Sequence, residues 1–219
     1  MDWLILQLAD SAFPTGGFAH SAGLEAAWQQ GEVPDAAALQ DFISDSLWQA
    51  RHTTLPLANA AFENVSSLRE LDSLCDAFLS NHVANRASRI QGRALLSTSE
   101  KCFPLPGLVA LRQHVRDEKL KQHFAPLSGA IMREMGVGRE WMQRLCLFVA
   151  LRGVVSAAVR LGVVGPHQAQ QMQFLSYETL NNVLDRCGDL GVEDLAQPAP
   201  LIDLFQATHD RLYSRLFQS

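Results

Sequence analysis

Apolar residues recur at intervals of three and four along most of the chain, and no stretch alternates with the period of two that marks a half-buried strand. From Asp35, placed to cap a helix, Leu39, Phe42, Ile43, Leu47 and Trp48 fall on one helical face. Pro56 interrupts or kinks this segment, and residues 57–62 continue as a second helix. Ser67 followed by Glu70 has the form of a capping box, opening a helix with the stripe Leu68, Leu71, Leu74, Cys75, Phe78 and Leu79. The pattern passes through Val83, Ala87, Ile90 and Ala94 to Leu95 and Leu96. Residues 97–107, with Pro104 and Pro106, read as the clearest loop, followed by a short helix over 108–115 and a charged turn or helix end over 116–121. Residues 123–135 form a helix entered through Pro126 and closed by Gly136 and Gly138, and 139–161 a long apolar helix ended by Gly162. A helix over 168–187 ending at Gly188, a loop to Pro200 and a last amphipathic segment over 201–217 complete the chain. The pattern predicts an all-α, single globular bundle of about eight to ten helices over residues 1–219, with no domain boundary.

Ahead of this body lies LADSAFPTGGFAHSAGLE, residues 8–25. Trp3, Leu4, Ile5, Leu6 and Leu8 predict a short buried helix, which Asp10 and Ser11 stop because their short side chains bond nearby backbone. Pro14 fixes its own φ and pushes Phe13 out of the helical region, while Gly16 and Gly17 open backbone angles closed to other residues. Ala22, Leu24, Ala26, Ala27 and Trp28 then resume a helical pattern as far as Gly31. Phe13 and Phe18 are large rings beside a turn of small residues. They are either anchors pinning the turn to the core or part of a loop presented to another macromolecule.

Composition changes the picture in two ways. Of 219 residues, 47% are hydrophobic and only 19% charged, few enough charges to expect some apolar surface to be covered by a partner. The net charge of −5 and the lack of a basic stripe argue against a nucleic-acid partner. Cys75, Cys102, Cys146 and Cys187 are widely separated and read as buried thiols in a reducing compartment, the cytoplasm; no basic n-region precedes the first apolar residues. In the apolar run 145–165, Arg152 and Arg160 would each cost about 2.5–3.5 kcal/mol at a bilayer centre, so the run reads as a core helix and not a membrane span. Phosphate-binding, dinucleotide and Gly-x-Ser-x-Gly signatures are missing, and the seven histidines include no His-x-x-x-His pair. The sequence offers no catalytic signature and no local metal site.

Three patches stand out from the helical background. Arg86, Arg89 and Arg93 share a helix face, a solvated basic surface or a partner surface, with polar Ser88 and Gln91 beside the apolar stripe. Gly92 within that helix costs roughly 1 kcal/mol against alanine, which points to a close helix approach. His123, just before Pro126, is a helix cap or a ligand. The segment 208–217 sets Tyr213, Arg211 and Arg215 among Leu212, Leu216 and Phe217, a composition suited to docking where chain ends are usually frayed and polar.

Gln7, Asp10, Ser11, Phe13, Pro14, Gly16, Phe18, His20, Ser21, Gly23, Leu24 and Glu25 resemble the N-terminal signature of the urease accessory protein UreF family. Arg86, Ser88, Gln91 and Gly92 are similar to its Arg-x-Ser-x-x-Gln-Gly core, and His123, Pro126 and Gly129 to its His–Pro–Gly segment, with Ser128 where an aromatic is common. His209, Leu212, Tyr213, Ser214, Arg215, Leu216 and Phe217 resemble its ending. The resemblance implies a UreF-like all-α, dimeric, cytoplasmic scaffold without catalytic chemistry. Such a scaffold binds UreD (UreH in some systems) and the GTPase UreG and promotes nickel insertion into apo-urease. Nickel is handled by the complex, and no cofactor is held tightly. Tyr213, Arg215 and Phe217 are then expected to anchor to UreD. The loop from Asp10 to Glu25 and the helix carrying Arg86, Arg89 and Arg93 are left for self-association, the UreG face or a nickel route, with His123, His209 and Ser214 as further contact candidates. Two other readings stand beside it: an enzyme whose ligands converge only in the fold, and a helical adaptor for an unrelated partner.

Overall fold

A computed structural model describes residues 2–186 and 190–219. Its helices are α1 (Asp2–Ala9), α2 (Leu24–Gln29), α3 (Ala36–Thr53), α4 (Leu55–Glu63), α5 (Leu68–Phe78), α6 (His82–Cys102), α7 (Pro106–Asp117), α8 (Phe124–Glu134), α9 (Arg139–Leu161), α10 (Pro166–Leu175), α11 (Tyr177–Asp185) and α12 (Pro200–Thr208). Short 3-10 turns join several of them, and no strand occurs among the described residues. The all-α expectation is met.

The bundle is organised around α8, whose residues from Ala125 to Met132 are all buried. A helix enclosed on every side needs small residues where backbones cross. At Gly129 a Cβ would lie 2.0 Å from the Ala58 carbonyl oxygen of α4; at Gly92 of α6 it would lie 2.1 Å from the Gln122 carbonyl oxygen. The close approach expected at Gly92 is thus present, against the turn that leads into α8. Around α8, Leu39, Ile43 and Leu47 of α3, Leu55 and Leu57 of α4 and Met142, Leu147 and Leu151 of α9 complete one core. Asp35 caps α3 by accepting from the Ala37 and Ala38 amides, both at 3.0 Å, and Asn81 caps α6 through the Val83 amide at 3.0 Å. Among the described residues no helix is long and apolar enough to cross a membrane.

Several local expectations are corrected. In α1 only Ile5 and Leu8 are buried; Trp3 and Leu6 stand in solvent. Ser67 does not form a capping box: its hydroxyl donates to the Asn64 carbonyl at 2.8 Å, while the Asn64 side chain accepts from the Ser66 amide at 3.1 Å and starts a 3-10 turn instead. The loop expected over 97–107 shrinks to 103–105. Buried Leu96 and Ser99 keep α6 helical to Cys102, and Pro106 opens α7 at a position where its missing N–H costs nothing. The helix expected over 168–187 is divided at Ser176, whose hydroxyl donates to the Met172 carbonyl at 2.8 Å and accepts from Gln40 of α3 at 3.0 Å. Its expected end at Gly188, and Cys187, lie outside the described residues. Cys75 and Cys146 are buried as expected, but Cys102 is exposed. The segment 201–217 is helical only to Thr208; a 3-10 turn over His209–Arg211 leads into an extended strap, residues 212–219.

Candidate functional site

The two rings of the N-terminal loop part company. Phe13 is buried and stacks on Phe103, ring centroids 6.0 Å apart, so it is the anchor. Phe18 is 68% exposed. Between them the Pro14 carbonyl accepts from the Thr98 hydroxyl at 2.9 Å, tying the loop to α6, and Asp10 turns the chain by accepting from the Ala12 amide at 2.7 Å. Asp10, Ser11, Pro14 and Gly16 lie on the surface, whereas His20, Ser21 and Glu25 are buried. Gly23 has φ +90°, and a Cβ there would meet the Ile202 carbonyl oxygen at 3.0 Å, so α12 closes directly over this turn.

Glu25, 1% exposed, is the point at which the two ends of the chain meet. Its carboxylate accepts from the Leu216 amide at 2.6 Å, the Phe217 amide at 3.2 Å and His209 Nε2 at 2.9 Å. A buried carboxylate is tolerated only when its oxygens are satisfied in this way. Beside it the Gln218 amide donates to the Ala19 carbonyl at 2.8 Å and the Ser21 amide to the Ser219 carbonyl at 2.6 Å. His20 Nδ1 contacts the Ser219 hydroxyl. Burial, with Arg86 and His209 nearby, lowers the His20 pKa to about 4, so its ring is neutral at pH 7.

On the outer side Asp210 collects two arginines and a histidine: Arg86 through both Nη atoms at 3.1 and 2.9 Å, Arg215 at 3.3 Å and the His82 ring at 3.2 Å. Arg86, foremost, holds the Asp210 carboxyl below the usual carboxylate range. Arg160 of α9 lies between the rings of Phe18 and Phe217, 3.9 and 4.1 Å from their centroids, and donates to the Phe18 carbonyl. The side chains turned outward are Phe18, Tyr213, Ser214, Arg215 and Leu216, with Tyr213 fully exposed. Phe217, expected as an exposed anchor, is 6% exposed and faces inward: Glu25 holds its backbone amide and its ring packs against the Arg160 guanidinium.

His123 belongs to a second, interior network and is no surface contact: it is fully buried. Its Nδ1 pairs with the Ser88 hydroxyl and its Nε2 with Asp76, each at 3.1 Å. Burial lowers its pKa, while Lys121, Asn85 and His123 hold the Asp76 carboxyl well below its usual range. A neutral imidazole donating from Nε2 to the carboxylate and accepting from Ser88 satisfies every atom. The Ser88 oxygen in turn accepts from the Phe124 amide at 3.1 Å. Asp72, 2% exposed, accepts from the Lys121 amide at 2.6 Å and the His123 amide at 2.8 Å, fixing the turn before α8. Arg93 is exposed and Arg89 half-buried, and neither has an ion-pair partner among the described residues.

Ser88 and Gln91 reach from α6 into a cleft of about 230 Å³ that His20, Cys75 and Cys146 also line. Burial pushes the thiols up to about 12 and about 11, so both are protonated. Among the described residues no group of three His, Cys, Asp or Glu is arranged to hold a metal ion. Sequence reasoning missed Arg160, Asp210, Asp72 and Asp76. Asp210 sat inside the C-terminal motif, and the i, i+4 pair Asp72 and Asp76 on an amphipathic helix was the available signal for the interior network.

The UreF family model matches residues 33–176. Curated relatives extend the likeness to both ends. Urease accessory protein F of Oryza sativa subsp. indica is 38% identical, covering 98% of this chain and 84% of its own length. Urease accessory protein F of Arabidopsis thaliana is 37% identical over 100% of this chain and 93% of its own. The urease accessory protein UreF of Arthrobacter sp. (strain FB24) is 31% identical over 97% and 95%.

Proposed function

The chain belongs to the UreF family, and from that premise we propose that it is a non-catalytic scaffold for urease maturation in the cytoplasm. In this reading it binds UreD (UreH in some systems) and the GTPase UreG, and the assembly inserts nickel into apo-urease. Nickel is cargo, handled by the complex.

The observation that carries the reading is the joining of the first and last sequence motifs at Glu25 into one surface with exposed Phe18, Tyr213 and Leu216. Tyr and Arg dominate interface hot spots, and here Tyr213 and Arg215 stand outward on a backbone held from behind. UreD is assigned to this surface, and the exposed Arg93 with Arg89 is left for the UreG side. Self-association fits a different face. Leu6, Trp141 and Tyr177 are exposed around an apolar groove of about 380 Å³ between α1, α9 and α11, and contiguous apolar surface of this kind suits a protein–protein contact.

The test is co-purification with candidate UreD and UreG chains, followed by nickel-dependent urease activation with and without this chain. A stable complex and loss of activation on omission are expected. Normal activation without the chain, and no complex, would overturn the reading and favour a helical adaptor with another partner.

A further inference from the structure

Residues 212–219 form no helix, and Phe217 and Ser219 are their only buried side chains. Every main-chain hydrogen bond by which residues 214–219 reach the rest of the described molecule ends on residues 19–29. Gln29 donates to the Ser214 carbonyl at 3.0 Å, Glu25 accepts from Leu216 and Phe217, and Ala19 and Ser21 pair with Gln218 and Ser219. None ends on α4 or α8, the centre of the bundle. A segment held by a few local bonds opens far more readily than the core on which it lies.

We propose that residues 212–219 are a strap that opens and closes as one unit, that Glu25 is its catch, and that the closed strap is the form recognised by the UreD-type partner; this last clause rests on the function proposed above. One carboxylate holds two successive amides, so Leu216 and Phe217 are released together. The Ser21 and Gln218 bonds continue the same edge, where the Ser21 hydroxyl and His20 add contacts to Ser219 alone, the residue next to Gln218. Arg160 extends the unit, because Phe18 and Phe217 share its guanidinium. The closed strap holds exposed Tyr213 and Leu216 along α2, between Gln29 and the Phe217 ring that meets Phe18 across Arg160. Glu25 itself is too buried to touch a partner, so it is a positioning residue.

Native-state hydrogen exchange on the full chain tests this. In the wild type the amides of Ser21, Leu216, Phe217 and Gln218 are expected to share one opening rate, well above that of α8. Glu25→Gln, which keeps the shape but loses the charge and one acceptor, should speed exchange at all four by roughly tenfold or more while leaving α8 unchanged. Phe217→Ser, which leaves Glu25 intact, should also release Ser21, and it reports on the strap if the Glu25 variant fails to fold. Unequal rates among the four amides, no acceleration, or equal acceleration in α8 would overturn the proposal, the last by making Glu25 a core residue. In a pull-down, Glu25→Gln should weaken capture by the UreD-type partner; unchanged capture would overturn the recognition clause. If exchange behaves as expected but the wild type captures no partner, the strap stands and the function proposed above falls.

Discussion

Replacing glycine by alanine at two helix-interior sites should change stability in opposite directions. In a helix interior alanine is favoured over glycine by about 1 kcal/mol. At Gly153 of α9 a Cβ would meet nothing within 4 Å, so Gly153→Ala should realise a gain of that order. At Gly92 of α6 the same Cβ would lie 2.1 Å from the Gln122 carbonyl oxygen and 2.8 Å from the Phe124 amide nitrogen. A carbon normally stays at about 3.3 Å or more from such an oxygen, so the contact is short by roughly 1.2 Å. The obstructing atoms are backbone, in a turn that Asp72 already fixes through two amides, and cannot swing aside. Overpacking of this kind costs about 1–3 kcal/mol or more, which exceeds the propensity gain. For a chain of this length each kcal/mol moves the melting temperature by about 2–4 °C. Thermal unfolding followed by circular dichroism should therefore show Gly153→Ala melting a few degrees higher than wild type and Gly92→Ala several degrees lower. Equal shifts of the same sign would refute the claim that the α6 crossing, and not helix propensity, decides the residue at position 92.

Three further outcomes follow from the site. Asp72→Asn keeps one acceptor for two buried amides and should destabilise by about 2–3 kcal/mol, read as a lowered urea midpoint. His20 has its pKa lowered from 6.5 to about 4, so the unfolded chain takes up its proton first. The contribution is whole above pH 6.5 and is lost as pH falls toward 4. A His20→Gln chain should accordingly lose less stability than wild type between pH 7 and 4.5, and parallel losses would show that His20 is not the group responsible. Arg89→Ala and Arg93→Ala break no ion pair and should shift unfolding by no more than about 0.5 kcal/mol, while lowering capture of a UreG-type partner; a large fall in melting temperature would make these arginines structural.

The helical stripes were legible because each is a periodic property of one segment. Leu39, Phe42, Ile43 and Leu47 are buried as their spacing predicts. Gly92 could also be read, since glycine in a helix is costly enough to need a reason. What the sequence could not show were meetings between distant segments. Glu25 and Leu216 lie 191 positions apart, and no periodicity links an acid in one motif to two amides in another. Phe217 looked like an exposed anchor because side-chain direction in an extended strap depends on what pins its backbone. Ser67 and Glu70 had the residue types of a capping box, yet Asn64, three positions earlier, took the capping role. Arg160 was weighed only as a charge interrupting an apolar run, and its function as a cation between two rings depends on which loop and which end of the chain lie over α9.

The distance in sequence between Glu25 and its donors also sets an order in time. A chain emerging from the ribosome carries the Glu25 carboxylate long before it carries Leu216 and Phe217. At usual synthesis rates the interval is roughly 10–40 s. Throughout that interval the carboxylate lacks the His209, Leu216 and Phe217 donors that satisfy it in the folded chain. The helices between, including the central α8, are made before those donors. Tyr213 and Leu216 are therefore fixed against the N-terminal loop only after the helices between have been made.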